Sequence, residues 1–245
     1  MAEAAIANST ARRDASSSSG LFLRQMLTIA AKDLRSELRT KEALNASVAF
    51  SIVILVLFSF AFDPSSEQLE EFSGGLLWMV FSFAGALVLN RSFARELQND
   101  CLDALISSPA PAGAIFLGKT LANFVLLMVV EFASLAVFAL FYDSRFGAQL
   151  WPIALVIALG TWGITIIGTM FSALTVNLRM REMMLPTLVY PLLVPALMAA
   201  MTLTSDLMSG TPIGKENMIW LRVLAGFDFI YSILAVAFID VVLVG

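Results

Sequence analysis

Long apolar runs separated by short polar segments make up most of the chain after residue 42. A helix needs about 20 apolar residues to cross the hydrocarbon core of a bilayer, which is roughly 30 Å thick. Six runs meet or approach this length, so the pattern predicts an all-α membrane protein. The six predicted transmembrane helices cover residues 43–62, 74–90, 113–142, 150–176, 183–204 and 219–244.

Two different segments precede the first apolar run. Residues 1–20 are polar and rich in serine, which predicts a disordered cytoplasmic tail. In residues 21–41, apolar side chains recur at helical spacing while basic side chains occupy other faces; the apolar positions are Leu23, Leu27, Ala30, Leu34 and Leu38. This pattern predicts an amphipathic helix in the cytoplasmic membrane interface. A helix packed on the protein's own loops is the alternative, because periodicity alone cannot separate the two.

The composition supports a membrane protein and excludes several kinds of site. Of 245 residues, 59% are hydrophobic and 14% are charged, whereas soluble domains carry about 25% charged residues. The single cysteine, Cys101, excludes an internal disulfide framework and a multi-thiolate metal site within one chain. The chain has no histidine, which removes the commonest metal ligand and general base. We expect no cleaved signal peptide, no directly bound cofactor and no nucleic-acid partner.

Lysine and arginine residues predict the orientation of the spans, because these residues concentrate on the cytoplasmic side. Of the 15 basic residues, 12 lie before the first span, in or just after the second-to-third connection, or in the fourth-to-fifth connection. The other side has Arg145, Lys215 and Arg222. We therefore predict a multi-pass protein of a bacterial inner membrane with both termini in the cytoplasm.

The connection at residues 91–108 is too polar to span a membrane, yet it has a helical pattern. One stripe is apolar and consists of Phe93, Leu97, Cys101, Leu102, Leu105 and Ile106. The charged residues on other faces are Arg95, Glu96, Asp100 and Asp103. The prolines in Ser107–Pro111 end the helix. The pattern predicts a cytoplasmic helix that docks into a groove of a soluble partner; a helix that only covers its own bundle is the alternative.

The segment Gly113–Thr120 matches the phosphate-loop pattern G-x-x-x-x-G-K-[ST] letter for letter. That motif needs a strand before a loop of free backbone N–H groups. Here prolines precede the segment and a long apolar span follows it, so we interpret the match as coincidence. We expect Lys119 to extend toward anionic lipid at the inner face.

Two carboxylates lie at membrane depth, Glu131 in the third predicted span and Asp228 in the last. A charged side chain in the hydrocarbon region is costly, so both should face the bundle or water. Each is a candidate for a substrate, gating or partner contact. Alternatively, Glu131 is protonated and bonds a neighbouring helix. Arg222 is a candidate partner for Asp228.

The residues from Arg95 to Leu105, followed by Ser108-Pro109 and Gly118-Lys119, resemble ABC transporter permeases of the exporter type. A fuller match includes Asn123-Phe124, Glu131 and the segment from Arg179 to Pro186 with Pro191 and Pro195. These residues look like the haem exporter protein B (CcmB) family of cytochrome c maturation. The resemblance covers residues from about Leu21 to the end of the chain.

The resemblance implies a six-span ABC permease domain over residues 21–245 with a coupling helix at 91–108. The residues expected to dock a separate ATPase are Arg95, Glu96, Asp100, Leu102, Asp103 and Leu105. The implied partners are a CcmA-like ATPase that binds ATP, CcmC-like and CcmD-like haem-handling subunits, a CcmE-like haem chaperone and a second copy of this chain.

The implied function is haem export or haem-chaperone release, without an ATPase site in this chain. Without histidine, this chain lacks the usual axial ligand of haem, so other subunits should hold the haem. An ABC permease for another hydrophobic substrate and a non-transporting assembly subunit are the alternatives.

Overall fold

The computed structural model of the chain describes residues 2–62, 67–98, 101, 104–105, 107–141, 149–175 and 181–244. Within these ranges, the side chains of residues 2–19, 67–71, 95, 98, 181–182 and 243–244 are outside the description. The described residues form α-helices joined by short connections, which confirms the predicted all-α class. The helices are α1 (Ala2–Thr40), α2 (Glu42–Ala61), α3 (Glu67–Leu89), α4 (Ala94–Gln98), α5 (Ala112–Phe141), α6 (Leu150–Thr175), α7 (Arg181–Met208) and α8 (Met218–Val244).

Six of these helices are long and apolar enough to cross a membrane, and they correspond one to one to the six predicted spans. The apolar segments are Glu42–Ala61, Phe72–Leu89, Ala112–Phe141, Leu150–Thr175, Met183–Met208 and Met218–Val242. The six-span architecture is therefore confirmed, with ends that differ from the predicted ones by a few residues.

Helix α1 begins at Ala2 and includes the segment that we predicted to be a disordered tail. Alanine, the strongest helix former, recurs through residues 2–15 and favours this extension. The helix ends where Lys41 adopts a left-handed conformation with φ of 55°. The backbone N–H of Leu44, in the first turn of α2, donates to Glu37 Oε1 over 3.0 Å. Glu37 thus satisfies one of the free N–H groups at the start of the first span.

Helix α6 packs against four other spans, α3, α5, α7 and α8. The indole of Trp78 on α3 is fully buried against Gly160 of α6, where an added Cβ would overlap the ring. Trp78 Nε1 donates to Thr204 Oγ1 of α7 over 3.0 Å. These contacts tie three spans together through one aromatic side chain.

The connection between the second and third spans is not one continuous helix. Helix α4 ends at Gln98, and Cys101 is outside helical structure, with its N–H donating to the carbonyl of Glu96 over 2.8 Å. Ala104 and Leu105 are helical, and residues 99, 100, 102, 103 and 106 lie outside the described residues. Of the predicted apolar stripe, Leu97 and Leu105 are in helical structure, Phe93 and Cys101 are outside it, and Leu102 and Ile106 lie outside the described residues.

Candidate functional site

The side chain of Lys119, in the second turn of α5, is buried to 1% exposure. Our expectation that it extends toward lipid was therefore wrong. A buried ammonium group is stable only when it is paired and hydrogen-bonded. Lys119 Nζ donates to Glu96 Oε1 over 2.7 Å, to Asp33 Oδ2 over 3.0 Å and to the backbone oxygen of Ser92 over 2.8 Å. The ammonium group also lies 4.8 Å from the ring centre of Phe93, a cation–π contact.

Lys32 of α1 completes this group, and we call Lys32, Asp33, Glu96 and Lys119 the ion cluster. Lys32 Nζ lies 3.0 Å from Glu96 Oε1 and 2.9 Å from Asp33 Oδ1. Burial lowers the pKa of Lys32, but the nearby carboxylates of Asp33 and Glu96 raise it more, so the pKa is above its usual value. Lys32 is therefore charged at physiological pH. The cluster contains two cations and two anions and is neutral as a whole.

The ion cluster joins three segments that are far apart in the sequence: α1, the connection with α4, and α5. Gly118 makes the approach of α1 to α5 close enough for this. A Cβ on Gly118 would lie 2.7 Å from the backbone oxygen of Met26 and 2.9 Å from Cβ of Ile29. Nearer the start of α5, the ring of Phe22 of α1 lies over Gly113. The small residues of α5 thus set the position of Asp33 beside Lys119.

Polar side chains extend the cluster toward the bundle. Asn123, one turn after Lys119 on α5, donates from Nδ2 to Ser92 Oγ over 2.8 Å and to Thr169 Oγ1 of α6 over 2.9 Å. A cleft of about 320 Å³ opens beside these residues, and Glu37, Arg91 and Cys101 also line it. The remaining oxygen of Glu96, Oε2, is buried and has no hydrogen-bond partner among the described residues. Within the same residues, histidine, cysteine and acidic side chains form no group of three that could hold a metal ion.

The predicted ATPase-docking residues do not share one environment. Glu96 is 8% exposed and bonded to two lysines, so its carboxylate is inside the protein. Leu105 is half-buried, and its neighbour in the stripe, Leu97, is 37% exposed. Asp100, Leu102, Asp103 and the side chain of Arg95 lie outside the described residues.

The two intramembrane candidates, Glu131 and Asp228, are both buried. Glu131 Oε2 accepts a hydrogen bond from Thr161 Oγ1 of α6 over 2.5 Å, so this carboxyl group links two spans. Both oxygens of Asp228 are buried without a hydrogen-bond partner in the described part of the chain, and no ion pair with Arg222 forms there. Asp228 lies against Gly163 of α6, where an added Cβ would be 2.8 Å from Oδ1.

The segment Gly113–Thr120 lies inside the continuous helix α5. The backbone N–H groups of its early residues bond within the helix; those of Ala114 and Ile115 donate to the carbonyl of Pro111. A phosphate loop needs these groups free. The interpretation of the pattern match as coincidence is therefore confirmed.

The sequence reasoning missed the roles of Lys32, Asp33, Ser92 and Asn123. A usable signal was the spacing of Lys119 and Asn123, which are four residues apart and so share one face of α5. Two polar residues on one face of a long apolar helix should bond a neighbour. Their partners could not be named, because Asp33 is 86 residues from Lys119 in the sequence.

Comparison with known proteins identifies the family of this chain. The CcmB protein family matches residues 24–241 of the chain. The chain is similar to heme exporter protein B of Rhodobacter capsulatus, with 31% identity over 172 residues, 70% of this chain and 78% of the relative. Heme exporter protein B of Paracoccus denitrificans is 30% identical over 172 residues, covering the same shares of the two chains. Heme exporter protein B of Pseudomonas aeruginosa is 28% identical over 200 residues, 81% of this chain and 88% of the relative. The chain, with its six spans and the connection held by the ion cluster, belongs to the CcmB family.

Proposed function

We propose that this chain is the permease subunit of an ABC exporter that serves haem delivery in c-type cytochrome assembly. The relatives are named heme exporter protein B, and from this name we infer that haem is the cargo of this chain as well. The chain supplies the membrane-spanning part, and a separate CcmA-like subunit binds and hydrolyses ATP. The basic residues that flank the spans support an orientation with α1 and the 91–108 connection in the cytoplasm of a bacterium.

The ion cluster is the observation that carries the proposal. An ATPase that closes on ATP must move the spans through a segment outside the membrane. Glu96 belongs to such a segment, and its carboxylate bonds Lys119 of α5 and Lys32 of α1. Because the charges are buried, separating them is costly, so displacement of the connection moves both helices with it. The connection 91–108 is thus the docking element, and the ion cluster transmits its movement.

The composition bears on how haem is handled. Of the side chains that bind haem iron, the chain has methionine, tyrosine and Cys101 but no histidine. Cys101 is exposed beside the ion cluster, and Tyr190 Oη donates to the backbone oxygen of Ser82 over 2.6 Å. The lack of histidine favours a division of work in which CcmC-like and CcmD-like subunits and a CcmE-like chaperone hold the haem. Movement of this chain then drives release of the haem-loaded chaperone.

A deletion strain that carries an affinity-tagged copy of the chain tests the proposal. We expect the deletion to abolish covalent haem attachment to c-type cytochromes, measured by haem staining of membrane proteins, and the tagged copy to restore it. Purification in mild detergent should recover a stoichiometric ATPase. An ATP-hydrolysis-deficient ATPase should still co-purify but should not support cytochrome assembly.

The alternatives give different results in the same experiment. Normal cytochrome c in the deletion strain would reject the cytochrome role and favour an exporter of another hydrophobic substrate. Absence of any ATPase from the purified complex would reject the ABC permease and favour an assembly subunit. Full cytochrome assembly with the hydrolysis-deficient ATPase would show that the role of this chain does not require ATP hydrolysis.

A further inference from the structure

Helix α1 presents three basic side chains on the side that faces away from the protein. Arg24, Arg35 and Arg39 are exposed. Arg35 follows Arg24 by 11 residues, about three helical turns, and Arg39 follows one turn later, so all three lie on one face. None of their guanidinium groups has a hydrogen bond or ion pair among the described residues. Within the described part of the chain, these guanidinium groups are therefore available to bind another molecule.

Leucines lie directly beside the arginine face. Leu23, Leu27 and Leu38 are 53%, 53% and 59% exposed. With the half-buried Leu34, they follow a second line along the same helix, next to the arginine line. Leucines exposed to this extent in a row need an apolar environment that the described residues do not provide.

The opposite side of α1 is already occupied. Met26, Ile29 and Asp33 contact α5. The helix thus has a protein-contacting face and, opposite to it, an outer face with one leucine line and one arginine line. An open groove of about 1120 Å³ runs along the outer face, where Arg24, Leu27, Thr28, Arg35 and Arg39 line it; the described residues of this lining include no acid.

We propose that the outer face of α1 binds anionic phospholipid of the adjacent leaflet. The leucine line enters the boundary of the acyl chains, and the guanidinium groups bind lipid phosphates, which their planar donors match. Lipid fits better than a soluble protein because α2, a membrane span, begins at Glu42, only two residues after α1 ends. The end of α1 is thereby held at the bilayer surface, where basic clusters next to a span attract anionic headgroups. This inference is independent of the proposed transport function.

The test measures which lipid contacts α1. Leu27→Cys in a Cys101→Ser background carries a fluorescent label, and the purified chain is reconstituted in phosphatidylcholine bilayers. Phosphatidylglycerol or phosphatidylcholine with brominated acyl chains is then added in increasing proportion. We expect brominated phosphatidylglycerol to reach half-maximal quenching at a several-fold lower mole fraction than brominated phosphatidylcholine. High salt should reduce this preference.

Matched variants identify the responsible side chains. Arg24→Gln, Arg35→Gln and Arg39→Gln together should abolish the preference for phosphatidylglycerol, while the three corresponding Lys substitutions should keep most of it. Lys215→Gln with Arg222→Gln, which removes two charges elsewhere, should leave it unchanged. Equal quenching by both lipids in the unsubstituted background, or an undiminished preference in the Gln variant, would overturn the proposal. If neither lipid quenches the label, the proposal is also overturned, and the outer face of α1 is then assigned to a protein partner. Unchanged thermal unfolding of the Gln variant verifies that α1 is in place.

Discussion

Lys119 Nζ and Glu96 Oε1 are 2.7 Å apart, and both side chains are removed from solvent. This pair fixes the connection between the second and third spans to the start of the third. A buried ion pair contributes little net stability compared with apolar side chains of the same size, because both charges lose their hydration. It does impose one geometry, since any other position leaves a charge unpaired. The pair therefore specifies where the connection sits on the bundle.

Removal of one partner should be severely destabilising. Lys119→Met leaves the carboxylates of Glu96 and Asp33 with Lys32 alone, and breaking a buried pair in this way costs about 3–5 kcal/mol. We expect a clear decrease in the Tm of the chain in detergent. Lys119→Met combined with Glu96→Gln should cost less than the sum of the single changes, because the remaining Lys32 and Asp33 neutralise each other.

Arg91 and Glu42 supply the control for this experiment. Their side chains are 43% and 67% exposed, and Arg91 Nη1 lies 2.7 Å from Glu42 Oε2. An exposed pair is worth about 0–1 kcal/mol, so Arg91→Gln should leave the Tm nearly unchanged. Equal Tm values for Arg91→Gln and Lys119→Met would show that the ion cluster does not hold the connection.

Gly118 should tolerate no larger side chain, because its Cα faces the backbone of α1. In Gly118→Val, the new atoms would overlap the carbonyl of Met26 and the side chain of Ile29, so α1 must move away from α5. We expect Asp33 to lose its contact with Lys119 and a disulfide engineered between α1 and α5 to form more slowly. Gly226→Ala is the control, since no atom of the described residues lies within 4 Å of its added Cβ. A rapid disulfide in Gly118→Val would contradict this role of Gly118.

The sequence predicted the spans correctly because a membrane span is a local property of about 20 consecutive residues. The same reasoning failed for Lys119. Its environment depends on Asp33 and Glu96, which approach it only after α1 and the connection have packed on α5. A lysine at the start of an apolar helix has the same local pattern whether it reaches lipid or an internal carboxylate.

Helix α1 shows a second limit of periodicity. The leucine spacing correctly indicated a helix, and it left open whether the helix faces the membrane or the protein. The structure shows that one face packs on α5 while Leu23, Leu27 and Leu38 remain exposed on the other side. The packed face includes Asp33 and Glu37, and a search for apolar stripes does not detect these residues because they are charged. A buried face made partly of charged residues can be recognised only when its partners are known.

We expect the carboxylate of Asp228 to lower the stability of the chain while it serves the function. Its two oxygens lack partners among the described side chains and backbone groups, and an unsatisfied buried polar group costs about 1–3 kcal/mol. Asp228→Ala should therefore raise the Tm. If the carboxylate serves the transport cycle, cytochrome c assembly should fall in the same variant. A higher Tm with normal assembly would remove Asp228 from the functional candidates.

Glu131 provides a direct comparison within the bundle. Glu131→Gln keeps an acceptor oxygen for the hydroxyl of Thr161, which donates to the carboxyl group in the native chain. If Glu131 only links α5 to α6, this variant should support normal cytochrome c assembly, whereas Glu131→Leu should lower the Tm. Loss of assembly in Glu131→Gln at normal protein level would show that the carboxyl group must ionise.

The orientation of the spans can be measured by thiol labelling in intact cells. In a Cys101→Ser background, a cysteine at Thr211, in the exposed connection between α7 and α8, should react with a membrane-impermeant reagent. A cysteine at Ser107, exposed in the 91–108 connection, should react only after the cells are opened. Labelling of the Ser107 position in intact cells would reverse the proposed orientation.

The ATPase should dock on the second half of the 91–108 connection. Glu96 is committed to the ion cluster, so the docking surface must come from residues beyond it. Leu105 is half-buried and follows Leu102 by three residues, a spacing that puts both on one side of a helix. Asp103 adds a charge next to this apolar pair. The roles of Leu102 and Asp103 are predicted from the sequence alone, because both lie outside the described residues.

Truncation of a buried apolar anchor usually weakens an interface more than loss of a charge at its rim. Leu102→Ala with Leu105→Ala should therefore release the ATPase during purification, while the chain still inserts at its normal level because no span is altered. Asp103→Asn should weaken binding mainly at low salt, where charges are least screened. Leu140→Ala is the control, a truncation of the same size at an 81% exposed position near the far end of α5. Co-purified ATPase is compared with the membrane level of each variant. Full ATPase retention by the double variant at normal membrane level would exclude this segment as the docking element, because a coupling surface cannot lose its apolar anchors without losing affinity.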